Sequence, residues 1–174
     1  MPWRRLLSAL LLASLAGCGF APVYAPVAGG KGSPAAQLGQ VYVAVIPDRT
    51  GQELRQDLQV RLEGAGATGT KQYTLTVSYA LTSEGIGIDP DTDVTFIRLH
   101  GGANWQLLGI TPGTPALASG YASVEDGYSV IVNQYFFESL ENDEVERRMA
   151  ETLADQIVVR LAAYFRNRDK VAQK

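Results

Sequence analysis

Two side-chain types that often carry chemistry occur once each in this sequence: the thiol of Cys18 and the imidazole of His100. A Ser-His-Asp hydrolase would have to recruit His100, yet no Gly-x-Ser-x-Gly elbow is present to hold a serine. A zinc site would need further cysteine or histidine ligands, so His100, beside Gly101-Gly102, reads as a strand or turn residue. The run Asp89-Pro-Asp-Thr-Asp93 has the first acids of a calcium loop. Val94 stands where that loop needs glycine, however, and His100 where it needs a closing glutamate. A solvated turn is the better reading. Gly29-Gly-Lys-Gly-Ser33 has Gly32 directly after its lysine and no strand leading into it, so it fails as a phosphate loop. Nothing singles out a carboxylate pair for glycoside cleavage. The expectation is a protein that is not an enzyme, with no catalytic residues, no metal and no cofactor beyond a covalent lipid.

That lipid follows from the surroundings of Cys18. Arg4 and Arg5 are followed by an apolar run, Leu6 to Leu15, interrupted only by Ser8 and Ser14, and then by small Ala16-Gly17. This is the layout of a secretory signal peptide. The run is far short of the roughly 20 residues that cross a bilayer. Leu15-Ala-Gly-Cys18 resembles the lipobox of bacterial lipoproteins. The resemblance implies cleavage after residue 17 and acylation of Cys18, and Gly19 in place of aspartate implies delivery to the outer membrane. Several acyl chains, at ~0.8 kcal/mol per buried methylene, anchor stably where one is marginal. Acylation also accounts for a lone cysteine in an exported chain.

The mature chain, Cys18–Lys174, is long enough for one domain. Losing Arg4 and Arg5 leaves 13 basic against 18 acidic residues, a net charge of about −5, which argues against nucleic acid as a partner. With no second cysteine, the fold rests on its apolar core.

The elements that would hold that core are legible in part. Residues 18–40 form the lipidated N-terminus and a flexible tether, since Ala25 to Gln40 is rich in Gly, Ala, Pro and Ser without apolar period. Val41 to Ile46 is a β-branched strand ended by Pro47. Thr50-Gly-Gln-Glu53 has capping-box spacing, and Leu54, Leu58 and Leu62 put one apolar stripe on the helix that follows. Gly64, Gly66 and Gly69 end it. Tyr73 to Leu81 alternates as a half-buried strand. Val94–Leu99 and Ala103–Leu108 read as strand, with Gly101-Gly102 a bulge or kink between them. Ala116–Ser123 is a weaker strand, and Tyr128–Phe137 fits a strand end or a loop. Val145, Met149, Leu153, Ile157, Leu161 and Tyr164/Phe165 mark a final helix, acidic at its start and basic at its end.

The order β-α-β-β-β-α predicts an α+β two-layer sandwich: one mostly antiparallel sheet of about four strands, with two helices on one face. The domain would span residues 41–166, followed by a polar tail at 167–174. The opposite sheet face would be free for a partner. Among the aromatics, Phe20, Tyr24 and the Tyr128–Phe137 stretch suit an interface.

Three stretches together resemble the LPS-assembly lipoprotein family, LptE, in its alphaproteobacterial form. They are Cys18-Gly-Phe-Ala-Pro-Val-Tyr24, Ile46-Pro-Asp-Arg-Thr-Gly-Gln-Glu-Leu-Arg-Gln-Asp-Leu58, and the closing helix from Glu144-Val-Glu-Arg147 to Tyr164-Phe165. The resemblance implies an outer-membrane lipoprotein on the periplasmic side that plugs and helps assemble the LptD β-barrel, assisting passage of lipopolysaccharide to the surface. It makes Phe20, Pro22 and Tyr24 candidate barrel contacts. It makes Arg98, in Phe96-Ile-Arg-Leu-His-Gly-Gly102, a candidate lipopolysaccharide contact, the alternative being a solvated strand residue. A stand-alone periplasmic ligand-binding lipoprotein is the other reading, and it would require an apolar cavity.

Overall fold

The computed structural model describes residues 34–64, 70–88, 94–111, 113–130 and 135–172. Seven elements follow in order: α1 (Pro34–Leu38), β1 (Val41–Val43), α2 (Arg49–Glu63), β2 (Tyr73–Ile88), β3 (Val94–Gly109), β4 (Ala118–Ser129) and α3 (Tyr135–Ala172). The strands form one sheet in the order β1-β2-β3-β4. β1 is parallel to β2, and the two other pairings are antiparallel. The expected two-layer α+β architecture holds, with one short helix added.

Period-two alternation divides each strand between two faces. Leu75 and Val77 of β2, Ala103, Trp105 and Leu107 of β3 and Ala122 of β4 turn toward the helices and join one buried cluster. From α2 that cluster takes Leu54, Leu58 and Leu62, the four-residue stripe expected from sequence, each at 1% exposure or less. From α3 it takes Leu153, Ile157, Leu161 and Phe165, together with the small Ala150, Ala154 and Ala162. A second cluster of Leu99, Tyr128, Val145 and Met149 lies beneath an earlier stretch of α3. Burying each large side chain is worth about 1.5–3 kcal/mol against leaving it in water.

The two long helices run parallel. Arg49 meets Asp143 at 2.9 Å, Thr50 meets Glu146 at 2.5 Å and Arg61 meets Asp155 at 2.5 Å, so both chains advance together. Thr50 is therefore no capping residue. The helix starts two residues earlier than a Thr50 cap requires, at Arg49, after Asp48 at φ 67°, and makes no side-chain cap there. The Thr50 hydroxyl donates instead to the Glu146 carboxylate of α3, because the close helix contact offers a partner that a local box cannot. At the other end Gly64 ends α2 as expected, donating to the Val60 carbonyl at 2.8 Å.

Three further expectations change. Gly101-Gly102 makes no bulge: β3 is continuous, and its register with β2 runs unbroken through Leu81↔Gly101 and Ala80↔Gly102. The glycines answer to crowding instead. A Cβ on Gly101 would lie 2.9 Å from the Met149 methyl and 3.1 Å from Leu81, while one on Gly102 would meet the Tyr121 ring.

The expected flexible tether does not reach Gln40. Pro34–Leu38 is helical, Leu38 is fully buried, and Gln37 is held at the far end of α3. The polar tail is likewise helix through Ala172, with Arg168 and Asp169 engaged by Gln37. Composition had suggested a flexible tether through Gln40; pairing with the basic end of α3 orders its last residues. Tyr128 belongs to β4 and is 7% exposed in the second cluster, so it supports the core and not an interface. Of the described residues in the stretch 128–137, Tyr128 and Ser129 end β4 and 135–137 begin α3.

Candidate functional site on the open sheet face

With the helices on one side, the even-numbered residues of β2 and β3 and the odd-numbered ones of β4 make the other face. Its rows follow from the register: Thr76, Gln106 and Ser119; Ser78, Asn104 and Tyr121; Ala80, Gly102 and Ser123; Thr82, His100 and Glu125; Glu84, Arg98 and Gly127. Most of these side chains are exposed. Hydroxyl and amide groups predominate. The one large ring in the middle, Tyr121, is 52% exposed and lies across Gly102.

Two shallow hollows of about 610 and 580 Å³ lie on this face, meeting at Ser78, Asn104 and Tyr121. Ser78, Thr82, Asn104 and Ser123 line the first and Thr76, Gln106 and Ser119 the second. Such a surface can make many weak hydrogen bonds to a polar partner.

The charges gather in one corner. Arg98 stands 3.4 Å from the Glu84 carboxylate. His100 lies between two acids, Nε2 at 3.2 Å from Glu84 and Nδ1 at 3.2 Å from Glu125. Both neighbours are cross-strand partners by register, Glu84↔Arg98 and His100↔Glu125. Arg98 is thus an exposed residue of β3 whose guanidinium already has a carboxylate beside it. His100 is on the open face within a strand, as its sequence context suggested. Neither bonds to a hydroxyl in the arrangement of a hydrolase.

Among the described residues no group of three or more His, Cys, Asp and Glu side chains is placed to hold a metal ion. No helix among them is long and apolar enough to cross a membrane. Clear pKa shifts occur elsewhere, in ion pairs on the helix surface. The Arg147 guanidinium, bonded to Glu144, holds that carboxyl below its ordinary value. Asp143 beside Arg49 raises the arginine.

Of the residues singled out in sequence, Cys18, Phe20, Pro22 and Tyr24 lie outside the described residues, as does Asp89–Asp93. Arg98 is placed, and is brought together with His100 and Glu84. What sequence reading missed is the breadth of the hydroxyl and amide surface across three strands. Its signal was present in β2, where Thr74, Thr76 and Ser78 alternate with Tyr73, Leu75, Val77 and Tyr79. In β4 the corresponding alternation of Ser119, Tyr121 and Ser123 with Gly120 and Ala122 carries too little hydrophobic contrast to read.

The family description "LptE: Lipopolysaccharide-assembly" matches residues 38–161, well over half of the chain. No curated protein matches by sequence. Several solved structures share the fold. A candidate lipoprotein of Caulobacter crescentus superposes with a TM-score of 0.62 at 20% identity, covering 78% of this chain and 98% of its own. The rare lipoprotein B of Shewanella oneidensis gives 0.56 at 15% identity, covering 74% and 96%. A minor lipoprotein of Acinetobacter baumannii gives 0.53 at 16%, covering 71% and 88%. At these identities the likeness establishes the fold.

Proposed function

Since the chain belongs to the LptE lipopolysaccharide-assembly family, we propose that it is a lipid-anchored subunit of the outer membrane that seats in the lumen of an LptD-type β-barrel. There it helps the barrel assemble and assists lipopolysaccharide on its way to the cell surface. It does this by binding, without catalysing a reaction. The observation that carries the reading is the uncovered polar face of the sheet. The interior of a large outer-membrane barrel is polar, and a plug needs a surface that hydrogen-bonds to such a wall without a large apolar patch. The Thr76–Gln106–Ser119 and Ser78–Asn104–Tyr121 rows have that character.

In this reading Cys18 carries the lipid, and Phe20, Pro22 and Tyr24 are contacts with the barrel near the membrane surface. Arg98 is the lipopolysaccharide contact. It would exchange the carboxylate of Glu84 for a lipid A phosphate, which offers a stronger charge-assisted bond. The ligand-binding alternative is disfavoured, because the two hollows on the open face are shallow and mix hydroxyl, amide and charged groups with apolar ones instead of enclosing an apolar cavity.

Affinity purification of the full-length chain from detergent-solubilised membranes tests the proposal. A stoichiometric large β-barrel should co-purify, and its absence would overturn the plug. In the same cells Cys18→Ser should leave the signal peptide attached, seen as a heavier, unacylated precursor by mass spectrometry. Arg98→Glu should weaken capture of lipopolysaccharide while the melting temperature stays put; unchanged capture removes Arg98 from the contact.

A further inference from the structure

The two edges of the sheet are treated differently. On β4, the outward carbonyls of Tyr121 and Ser123 accept from α3, the first from Arg160 and the second from Gln156 at 2.9 Å. Two acceptors of that edge are thus taken up by side chains of its own fold. The opposite edge begins with β1, which pairs with only three residues of β2, Tyr73 to Leu75. One more bond, Ala44 N–H to the Leu75 carbonyl at 2.9 Å, extends the ladder before Pro47 turns the chain into α2.

That bond also fixes the direction of the main chain. Leu75 faces the β1 side, and alternation then turns the N–H and C=O of Tyr79, Leu81, Ser83 and Gly85 outward, while Ala80, Thr82 and Glu84 face β3. No backbone partner meets those four residues on the outer side among the described residues. The stretch is about 23 Å long at strand rise. It carries few of the usual edge guards: between Tyr79 and Ile88 there is no proline and no lysine, the single charge is Glu84, and the one irregularity, Gly87 at φ 74°, lies beyond Gly85.

We propose that the β2 edge from Tyr79 to Gly85 is a strand-addition site. It receives an extended segment of a different polypeptide, laid end-on beyond β1 and carrying a lysine or arginine next to Glu84. The main-chain groups require a partner with a backbone ladder of its own, which only an extended polypeptide supplies. The charge selects between candidates. A second copy of this chain would bring the same strand, with Glu84 as its only charge and no cation to meet it. On its β3 side Glu84 already has Arg98 at 3.4 Å and His100 at 3.2 Å. A basic foreign segment therefore adds a cross-strand ion pair from the outer side, where a second copy would bring another carboxylate. The inference rests on the reading above only in placing the chain in the cell envelope.

Amide hydrogen exchange on the full-length chain tests it, comparing the envelope fraction of expressing cells with the chain purified alone, at single-residue resolution. In the envelope, exchange at Tyr79, Leu81, Ser83 and Gly85 should slow at least tenfold, while Ala80, Thr82 and Glu84 are protected in both samples. Docking of a partner against the open face would not produce that alternation. Ser83→Pro removes an outward N–H that the domain itself does not use. It should leave the melting temperature within a few degrees and abolish the added protection at Tyr79 and Leu81. Glu84→Lys should reduce that protection at least tenfold.

Outward amides that exchange equally fast in both samples overturn the proposal. So does protection accompanied by a cross-linked dimer of this chain, and so does protection indifferent to Glu84→Lys. Whether a large barrel is recovered from the same preparation is scored separately, so the plug and the strand-addition site can fail independently.

Discussion

Along β3, neighbouring residues serve opposite ends. Leu99, Ala103, Trp105 and Leu107 are at most 4% exposed and pack beneath the helices, whereas Arg98, Asn104 and Gln106 between them stand in solvent. The covered face is built of side chains whose only contribution is volume. The open face is built of side chains that leave the fold largely unaffected and can hydrogen-bond to something else. Stability and recognition are thereby separated by one residue's step along a strand, and each face can be probed with little disturbance of the other.

The largest expected effect lies on the covered side. Phe165 is fully buried and packs against Tyr73 and Tyr164, with ring centroids 5.2 and 5.4 Å away. Phe165→Ala should cost about 3–5 kcal/mol in denaturant unfolding; a cost under about 1 kcal/mol would mean that the helix layer does not carry the fold. The adjacent glycines give the sharpest contrast. Gly101→Ala pushes a methyl against Met149, Leu81 and Val124 and should cost about 1–3 kcal/mol. Gly102→Ala displaces only the exposed Tyr121 ring and should stay within about 0.5 kcal/mol. Equal costs would erase the distinction between the faces.

Between the helices, Thr50→Val removes the hydroxyl bonded to Glu146 and should cost about 1 kcal/mol, read as a lowered denaturant midpoint at unchanged slope. The smallest effect is on the outer surface of α3, where Arg147 lowers the Glu144 pKa. A depressed carboxyl contributes stability that is full above its ordinary value and is lost as pH falls through the folded one. The difference in stability between the wild type and Arg147→Ala should accordingly be present at neutral pH and shrink in acid. A difference that stays constant down to low pH would detach the ion pair from stability.

The helical and strand periods were legible because they are written in apolar side chains. The Leu54–Leu58–Leu62 stripe and the Val145-to-Phe165 stripe predicted the covered layer, and the alternation of Tyr73 to Leu81 predicted its sheet. What escaped was set by contacts distant in sequence. Pro34–Leu38 is too short to show an apolar period and is helical where Leu38 joins the core and Gln37 meets Asp169, 132 residues further on. Thr50 and Glu53 have the spacing of a cap, yet Thr50 bonds to Glu146, about a hundred residues away. Gly101-Gly102 has the composition of a kink, and only the positions of Met149 and Tyr121 show that the glycines make room. The identity of Arg98 as a strand residue was legible; its pairing with Glu84 depended on a register that no local pattern fixes.

Gln37 clasps the far end of the longest helix. Its amide nitrogen donates to both carboxylate oxygens of Asp169, at 3.0 and 2.8 Å, and its oxygen accepts from Arg168. That guanidinium also bonds the Tyr73 hydroxyl at 2.9 Å and sits 5.2–5.9 Å from three aromatic rings. In mechanical terms the clasp is a strain relief, like the collar where a cable enters a plug. A pull on the residues ahead of Pro34 is passed at Gln37 into a helix about 57 Å long, which spreads the load along the core. The short β1 strand, four residues beyond Gln37 and held by a brief ladder, is spared from being peeled away first.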